Sequence, residues 1–406
     1  MLAVVGRRLS AFPAPCSRGL RLHGDSLYLE VSAPSSAAAA QAPPAPLLPR
    51  ILILTPVKDS LKHLDRYFTL LRGLSYPAHL LSLGMMDSDS RDGAGEELGS
   101  GLYSAATLEG LGVSREAMAG VRPSGTLARL LVEAPELVRA GWRRVVVARH
   151  DFGYSLSRGS RHSLTEQLQR REVLAKSRNH LLSLALQDED WVLWLDSDLR
   201  FYPADLLDRL VAAAAGGSDG GAAGGAGGRK PLRQVLVPNC VLKLGGGRSY
   251  DLNSWRAGSP LSPGSNASVA AVVAYHNKHS AAQGSGGSTG SGGSASSSEG
   301  LKLSIEGYGN TGALYLHQFK RRDQQQNKTS RTVLLGEEED QGEDSVVRLD
   351  AVGGAALLVH AELHRHGLVF PPFPYRRRIE TEGLSMMAMD MGALSWGMPF
   401  LEVLHN

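Results

Sequence analysis

Two aspartates separated by one residue, Asp196 and Asp198, follow a run of five apolar residues at 191–195. In an extended chain, residues i and i+2 point to the same side, so both carboxylates can face one ion while Ser197 faces away. Carboxylate oxygens suit Mg²⁺ or Mn²⁺, and such a cation suits a diphosphate. The pair indicates a metal-dependent enzyme with a nucleotide-linked substrate, although acidic pairs also cap helices and occupy turns.

The apolar run at 191–195 predicts a strand buried on both faces, which requires a sheet covered by helices. Two further apolar runs, 51–56 and 80–86, flank a segment at 63–74 whose apolar residues have helical spacing. These three segments predict a βαβ unit. Open α/β sheets bind ligands at the carboxyl ends of their strands, so the residues that follow each strand are the candidates for function.

The strand predicted at 80–86 is followed by an acidic stretch at 87–93 that contains Asp87 and Asp89. One interpretation is a turn with a helix cap. The other is that a carboxylate recognises the hydroxyl groups of a ribose or a base. The spacing of the residues leaves both interpretations open.

A long helix predicted at 164–186 carries several basic side chains and leads into the strand at 191–195. Arg178, next to Asn179 and near that strand, is the candidate for a phosphate contact. The other basic residues, Arg170, Arg171 and Lys176, are expected on a solvated face. A further strand is predicted at 142–148 and a further helix at 204–215, and short apolar runs lie at 234–238 and 355–359.

Polar residues in the second half of the chain supply further candidates. The segment 250–255 combines Tyr250, Asp251 and a tryptophan, a mixture typical of sugar sites and also of an Asx-capped turn with a buried indole. Glu380 and Glu382 provide two more carboxylates.

The composition favours one elaborated domain. The chain has 406 residues, 42% of them hydrophobic, and a net charge of +3. No dense basic run interleaved with aromatic residues is present, so nucleic acid is not an expected partner. The two cysteines are Cys16 and Cys240, and Cys16 is expected outside the folded part, so we do not expect a structural disulfide.

The domain is predicted to span 50–406. Residues 1–49 have the composition of a basic tail or transit peptide followed by an Ala/Pro-rich linker, and we expect them to be disordered. Low-complexity stretches at about 216–228, 257–300 and 318–346 are expected to be flexible insertions. No apolar run approaches the roughly 20 residues of a membrane span.

In this order, the motifs resemble those of the fungal mannan polymerase subunit family, the Golgi alpha-mannosyltransferases of glycosyltransferase family 62. The similarity covers 51–405 apart from the insertions. The matching segments are 51–56, 88–93, 151–153, 170–179, 191–198, 237–240, 250–255, 349–354, 370–374 and 379–383.

The resemblance implies a single domain of the glycosyltransferase A-type, a Rossmann-like α/β fold that uses nucleotide-diphospho-sugars. It implies GDP-mannose as donor, Mn²⁺ or Mg²⁺ as cofactor, transfer to a glycan acceptor with retention, and a Golgi location with other subunits of a complex as partners. Asp196 and Asp198 look like the metal and donor motif, and His405 looks like the metal-site histidine. The remaining assignments are Thr55, Pro56 and Asp89 for the guanosine, Arg178 for the leaving group, and Asp251, Glu380 and Glu382 as candidates for the acceptor side.

Two rival classes remain, and one residue departs from the family pattern. An apolar strand followed by Asp-x-Asp also opens haloacid-dehalogenase-type phosphatases, in which the first aspartate is a nucleophile. Those enzymes carry the motif on their first strand, whereas three strands are predicted before it here. The other rival is a non-catalytic subunit of a polymerase complex. Asp87 stands where the family usually has an apolar residue.

Overall fold

The computed structural model describes residues 17–23, 26–33, 48–93, 118, 121, 124–154, 164–216, 232–245, 249–257, 314–319 and 344–405. Most of the three predicted insertions, and Cys16, lie outside these residues.

The described residues include twelve strands and six α-helices. The strands are β1 (Ser17–His23), β2 (Ser26–Ser32), β3 (Ile51–Val57), β4 (Leu81–Asp87), β5 (Arg144–Arg149), β6 (Trp191–Leu195), β7 (Val235–Val241), β8 (Trp255–Arg256), β9 (Leu314–Tyr315), β10 (Val347–Leu349), β11 (Ala356–His360) and β12 (Ser395–Leu404). The helices are α1 (Leu61–Arg72), α2 (Gly125–Arg139), α3 (Leu164–Ala185), α4 (Leu206–Ala214), α5 (Ala361–Arg365) and α6 (Glu380–Asp390).

Ten of these strands form one mixed sheet in the order β1-β2-β5-β4-β3-β6-β11-β7-β12-β10, while β8 and β9 pair separately. Strands β5, β4, β3 and β6 are parallel, β11 is antiparallel to both β6 and β7, and β12 is parallel to β7. The carboxyl ends of β3 to β7 and of β12 therefore meet at one edge, together with the amino end of β11. We call this edge the carboxyl rim.

Helices cover both faces of the sheet. Apolar residues of α1, α2 and α4 pack in one core, and those of α3, α5 and α6 pack in the other. In α1, Leu64, Phe68 and Leu71 recur at helical spacing and are buried, which is why this segment forms a helix against the sheet. All five residues of β6 are buried because both of its faces are covered. The predicted α/β class and the predicted βαβ unit of β3, α1 and β4 are confirmed.

The prediction of a disordered tail over 1–49 is wrong for residues 17–23 and 26–33. Strands β1 and β2 form an antiparallel hairpin, and β2 pairs with β5, so the fold begins before Arg50. Leu27, Leu29 and Val31 alternate with less buried residues and pack into the core. This period of two is the ordinary signal of a half-buried strand.

Candidate functional site

The two aspartates lie at the carboxyl rim, directly after β6. The strand ends at Leu195, and Ser197 and Asp198 form a turn, so the extended geometry expected for this triplet is not observed. The N–H of Asp196 donates to the carbonyl of Ala355 at 2.9 Å, which anchors the turn to the start of β11. The side chains of Asp196 and Asp198 are 34% and 37% exposed, so both are accessible to a ligand.

His405 is brought to Asp198 by the last strand of the sheet. Because β12 runs beside β7, the N–H of His405 donates to the carbonyl of Val241 at 2.9 Å. The Nε2 atom of His405 lies 3.3 Å from Oδ1 of Asp198. The imidazole stacks on the ring of Tyr250, with centroids 3.8 Å apart and planes 17° apart. The position of this histidine is therefore set by the sheet and by one aromatic contact.

The two aspartates have different affinities for protons. Burial raises the pKa of Asp196 to about 7; the charges of Asp198 and Asp251 add to the rise, and those of Arg178 and His405 oppose it. Burial acts to raise the pKa of Asp198 as well, but the hydrogen bond and charge of His405, together with the charge of His63 and a backbone hydrogen bond, bring the pKa of Asp198 below its ordinary value. At neutral pH Asp198 is ionised, and Asp196 changes protonation state near this pH.

Asp198 and His405 fit a cation that takes its remaining ligands from a substrate. Within the part of the chain that the structure describes, no three His, Cys, Asp or Glu side chains are grouped to hold a metal ion by themselves. Mg²⁺ in nucleotide sites is usually held by one or two protein carboxylates, with waters and substrate phosphates completing the shell, and imidazole is an accepted ligand for transition metals. One carboxylate beside one imidazole matches such a shared site.

Arg178 lies in α3 and turns toward the same rim. Its Nη2 is 3.7 Å from Oδ1 of Asp196, its Nη1 donates to Oε1 of Glu380, and its guanidinium lies 5.0 Å from the centre of the Phe370 ring. Arg171, two turns earlier, donates to Oε2 of Glu380 at 2.6 Å and is buried. The expected solvated position of Arg171 is therefore wrong, because a buried carboxylate compensates its charge.

The three candidates for the acceptor side have different surroundings. Asp251 accepts hydrogen bonds from the N–H of Asn253 at 3.0 Å and of Gly354 at 3.1 Å, which holds it beside the start of β11. Glu380 has both oxygens occupied by the two arginines of α3. Glu382 accepts from Nε1 of Trp255 at 2.9 Å and is 4% exposed. The structure therefore does not support Glu380 or Glu382 as a base, and it leaves Asp251 as the candidate.

Two of the three residues expected to hold a guanosine, Thr55 and Asp89, make hydrogen bonds within the protein. The Thr55 hydroxyl donates to the carbonyl of Leu195 at 2.7 Å and is fully buried. Asp89, whose φ is 54°, accepts hydrogen bonds from the N–H groups of residues 152–154 at 2.9 to 3.1 Å. Pro56 is half-buried within β3. The helix-cap interpretation of the acidic stretch applies to Asp92, which accepts from N–H groups in the first turns of α1 and α2. The structure does not support a guanosine role for Thr55 or Asp89.

One residue near the rim, His63, was missed from the sequence, and the partner of Asp87 was not predicted. His63 lies in the first turn of α1, where the charge of Asp198 acts on it. Burial lowers the pKa of His63, and the charge of Asp198 opposes this shift. Its position just after β3 was the available signal. Asp87 pairs with the fully buried Arg149 and accepts from the Ser124 hydroxyl at 2.7 Å. The departure of Asp87 from the family pattern is thus matched by a buried guanidinium.

A mixed α/β sheet covered on both faces, with two aspartates at its carboxyl rim, has the architecture of a Rossmann-like nucleotide-diphospho-sugar transferase, as predicted. The Anp1 family model matches residues 36–216 and 312–374, more than half of the chain, and the chain belongs to that family. This confirms the resemblance found in the motifs.

Curated relatives carry the names of mannan polymerase subunits. The complex subunit mnn9 of Schizosaccharomyces pombe is 27% identical, over 88% of this chain and 80% of its own length. The complex subunit MNN9 of Candida albicans is 26% identical, over 87% of this chain and 74% of its own. The ANP1 subunit of mannan polymerase II from Saccharomyces cerevisiae is 24% identical, over 88% of this chain and 55% of its own.

Among solved structures, a mannosyltransferase of Pyrobaculum calidifontis in complex with GDP-Man and Mn²⁺ is 15% identical and covers 50% of this chain and 38% of its own, with a TM-score of 0.24. A similarity this low supports no argument about the site. No helix among the described residues is both long and apolar enough to cross a membrane.

Proposed function

We propose that the protein is a metal-dependent mannosyltransferase that moves mannose from GDP-mannose to a glycan acceptor. The observation that carries the proposal is the group of residues at the carboxyl rim. Asp198 lies 3.3 Å from His405, and Asp196 lies 3.7 Å from the buried Arg178. Membership in the Anp1 family supports the same activity, and the family resemblance adds retention of the anomeric configuration.

The residues at the rim have distinct roles in this proposal. Asp198 and His405 would hold Mn²⁺ or Mg²⁺, and the bound cation would supply positive charge to the departing diphosphate. Arg178 contributes a guanidinium to the same leaving group, in a water-poor position where its charge is weakly screened. Asp196 holds that guanidinium at the rim. Asp251 keeps a second lone pair on each oxygen and can accept a hydrogen bond from a sugar hydroxyl.

The relatives' names as complex subunits support assembly with other subunits. We propose the Golgi as the location, on the family resemblance alone. The alternative is a non-catalytic subunit. The exposure of Asp196 and Asp198 and their pairing with Arg178 and His405 favour an active site. Family membership disfavours the haloacid-dehalogenase alternative.

The test is release of GDP from GDP-mannose, and transfer to a mannobioside, with and without Mn²⁺. Asp198→Ala should abolish both reactions. Asp188→Ala is the matched control, since Asp188 is half-exposed and pairs with Arg50 at the opposite end of the sheet. Full Mn²⁺-dependent turnover by Asp198→Ala would contradict the proposal. Release of phosphate from phosphomonoesters would favour the phosphatase alternative.

A further inference from the structure

A buried carboxylate links two arginines of α3. Arg171 and Arg178 are seven residues apart, so they lie on the same face of the helix. Glu380, the first residue of α6, accepts from Nη1 of Arg171 at 2.6 Å and from Nη1 of Arg178. Their exposures are 8% for Arg171, 5% for Arg178 and 3% for Glu380, so water screens this group weakly.

The remaining surroundings of Arg178 fix which of its nitrogens faces the rim. Its Nη2 lies 3.7 Å from Oδ1 of Asp196. A Cβ atom at Gly354 would lie 2.7 Å from that Nη2, so the approach requires a glycine. The Phe370 ring lies under the guanidinium plane at 5.0 Å. The guanidinium thus has one amino group held by Glu380 and the other directed to the site.

The backbone of Glu380 points to a functional constraint. Its φ of 59° lies in the left-handed region, which a residue with a side chain rarely occupies. Such a conformation persists only where the surrounding structure enforces it, and it is concentrated at functional sites. Here the N–H of Glu380 donates to the carbonyl of Pro371 at 3.1 Å, and its carboxylate reaches two helical turns of α3.

We propose that Glu380 is a positioning residue that, together with Arg171, fixes the guanidinium of Arg178 toward the diphosphate of the donor. Glu380 does not contact the ligand itself. The identity of the ligand rests on the proposed function. Removal of the carboxylate would leave two guanidinium groups close together and buried without their shared counter-charge, and Arg178 would lose its fixed orientation.

The experiment measures binding of GDP and of GMP by isothermal titration calorimetry in the presence of Mn²⁺. Glu380→Gln should weaken GDP binding about tenfold, as expected for a displaced charge-assisted contact, and should reduce the preference for GDP over GMP. The control is Glu189→Gln, which removes another fully buried carboxylate, bonded to Nη2 of Arg144 at 2.8 Å at the opposite end of the sheet. This control should bind GDP like the parent protein.

A second measurement follows the guanidinium NMR signals of Arg178 and needs no ligand. In the parent, the Nη signals of Arg178 should be distinct because rotation of its guanidinium is restricted. Averaging of these signals in Glu380→Gln would support the positioning role. Arg171→Gln provides a second variant if Glu380→Gln does not fold. Unchanged GDP affinity and unchanged signals in a folded variant would overturn the inference. If the parent protein does not bind GDP, the proposed donor is wrong, and the NMR comparison alone decides the positioning role.

Discussion

The pair formed by Asp87 and Arg149 gives a sharp prediction about stability. Both side chains are fully buried between β4 and β5, and Nη1 of Arg149 donates to Oδ2 of Asp87. Arg149→Met should leave Asp87 with neutral hydroxyl partners, those of Ser124 and Ser90, in place of a cation. Burial already raises the pKa of Asp87 despite the opposing charge of Arg149, so the unpaired carboxylate is costly. The expected loss is about 3–5 kcal/mol.

Removal of the carboxylate instead of the guanidinium should lower the free energy of unfolding by a smaller amount. In Asp87→Leu, Arg149 keeps Oδ1 of Asp151 at 2.9 Å and the carbonyl of Ser90 at 3.2 Å as partners. We expect a loss of about 1–3 kcal/mol, the usual cost of a partly satisfied buried group. The double variant replaces an ion pair by two apolar side chains, which is often close to neutral. It should therefore be more stable than Arg149→Met alone.

The assay is urea unfolding at pH 7 of the parent, both single variants and the double variant, with the free energy of unfolding taken by linear extrapolation. The cycle should show a coupling energy above about 1.5 kcal/mol, since contacting residues are not additive. Additive losses, or a double variant less stable than Arg149→Met, would refute the compensation between these residues.

Three further predictions follow from the site and its supports. The folded-state pKa of Asp196, about 7, exceeds the ordinary 3.8, so in the metal-free protein this carboxyl group binds more protons when folded than when unfolded between about pH 4 and 7. The contribution of Asp196 to stability should therefore fall as pH rises through that window, so the urea midpoint of the parent relative to that of Asp196→Asn should decrease from pH 4 to pH 7. The Asp92 carboxylate caps the first turns of both α1 and α2, so Asp92→Ala should lower the free energy of unfolding by about 2 kcal/mol, measured by urea unfolding. A methyl group at Gly353 would overlap the carboxylate of Asp251, so Gly353→Ala should lower the transfer rate at least roughly tenfold with an unchanged circular dichroism spectrum.

The main elements of the sheet were predictable because their signals are local. The five apolar residues of β6 and the helical spacing in α1 report burial directly, and both elements formed where expected. The hairpin of β1 and β2 was missed because a basic composition suggested a tail, although Leu27, Leu29 and Val31 alternate as a strand requires. The alternating pattern was the correct guide and the basic composition was not, because β2 pairs with the edge of β5.

The partners within the site were less predictable because they are distant in sequence. Charged residues on a helix usually face solvent, and nothing near Arg171 in the sequence indicates that it will form an ion pair with Glu380. The proximity of His405 to Asp198 was expected from the family resemblance alone. Spacing within the chain cannot supply it, since β12 must first pair with β7.

Cation-dependent binding of GDP through Asp198 and His405 is the claim on which the proposed function depends. The direct measurement is calorimetric titration of GDP into the parent protein, Asp198→Ala and His405→Ala, each with and without Mn²⁺. The parent should bind GDP more tightly with Mn²⁺, and each variant should lose that enhancement while retaining a cooperative thermal transition. Mn²⁺-enhanced GDP binding that persists in folded Asp198→Ala and His405→Ala would contradict the claim.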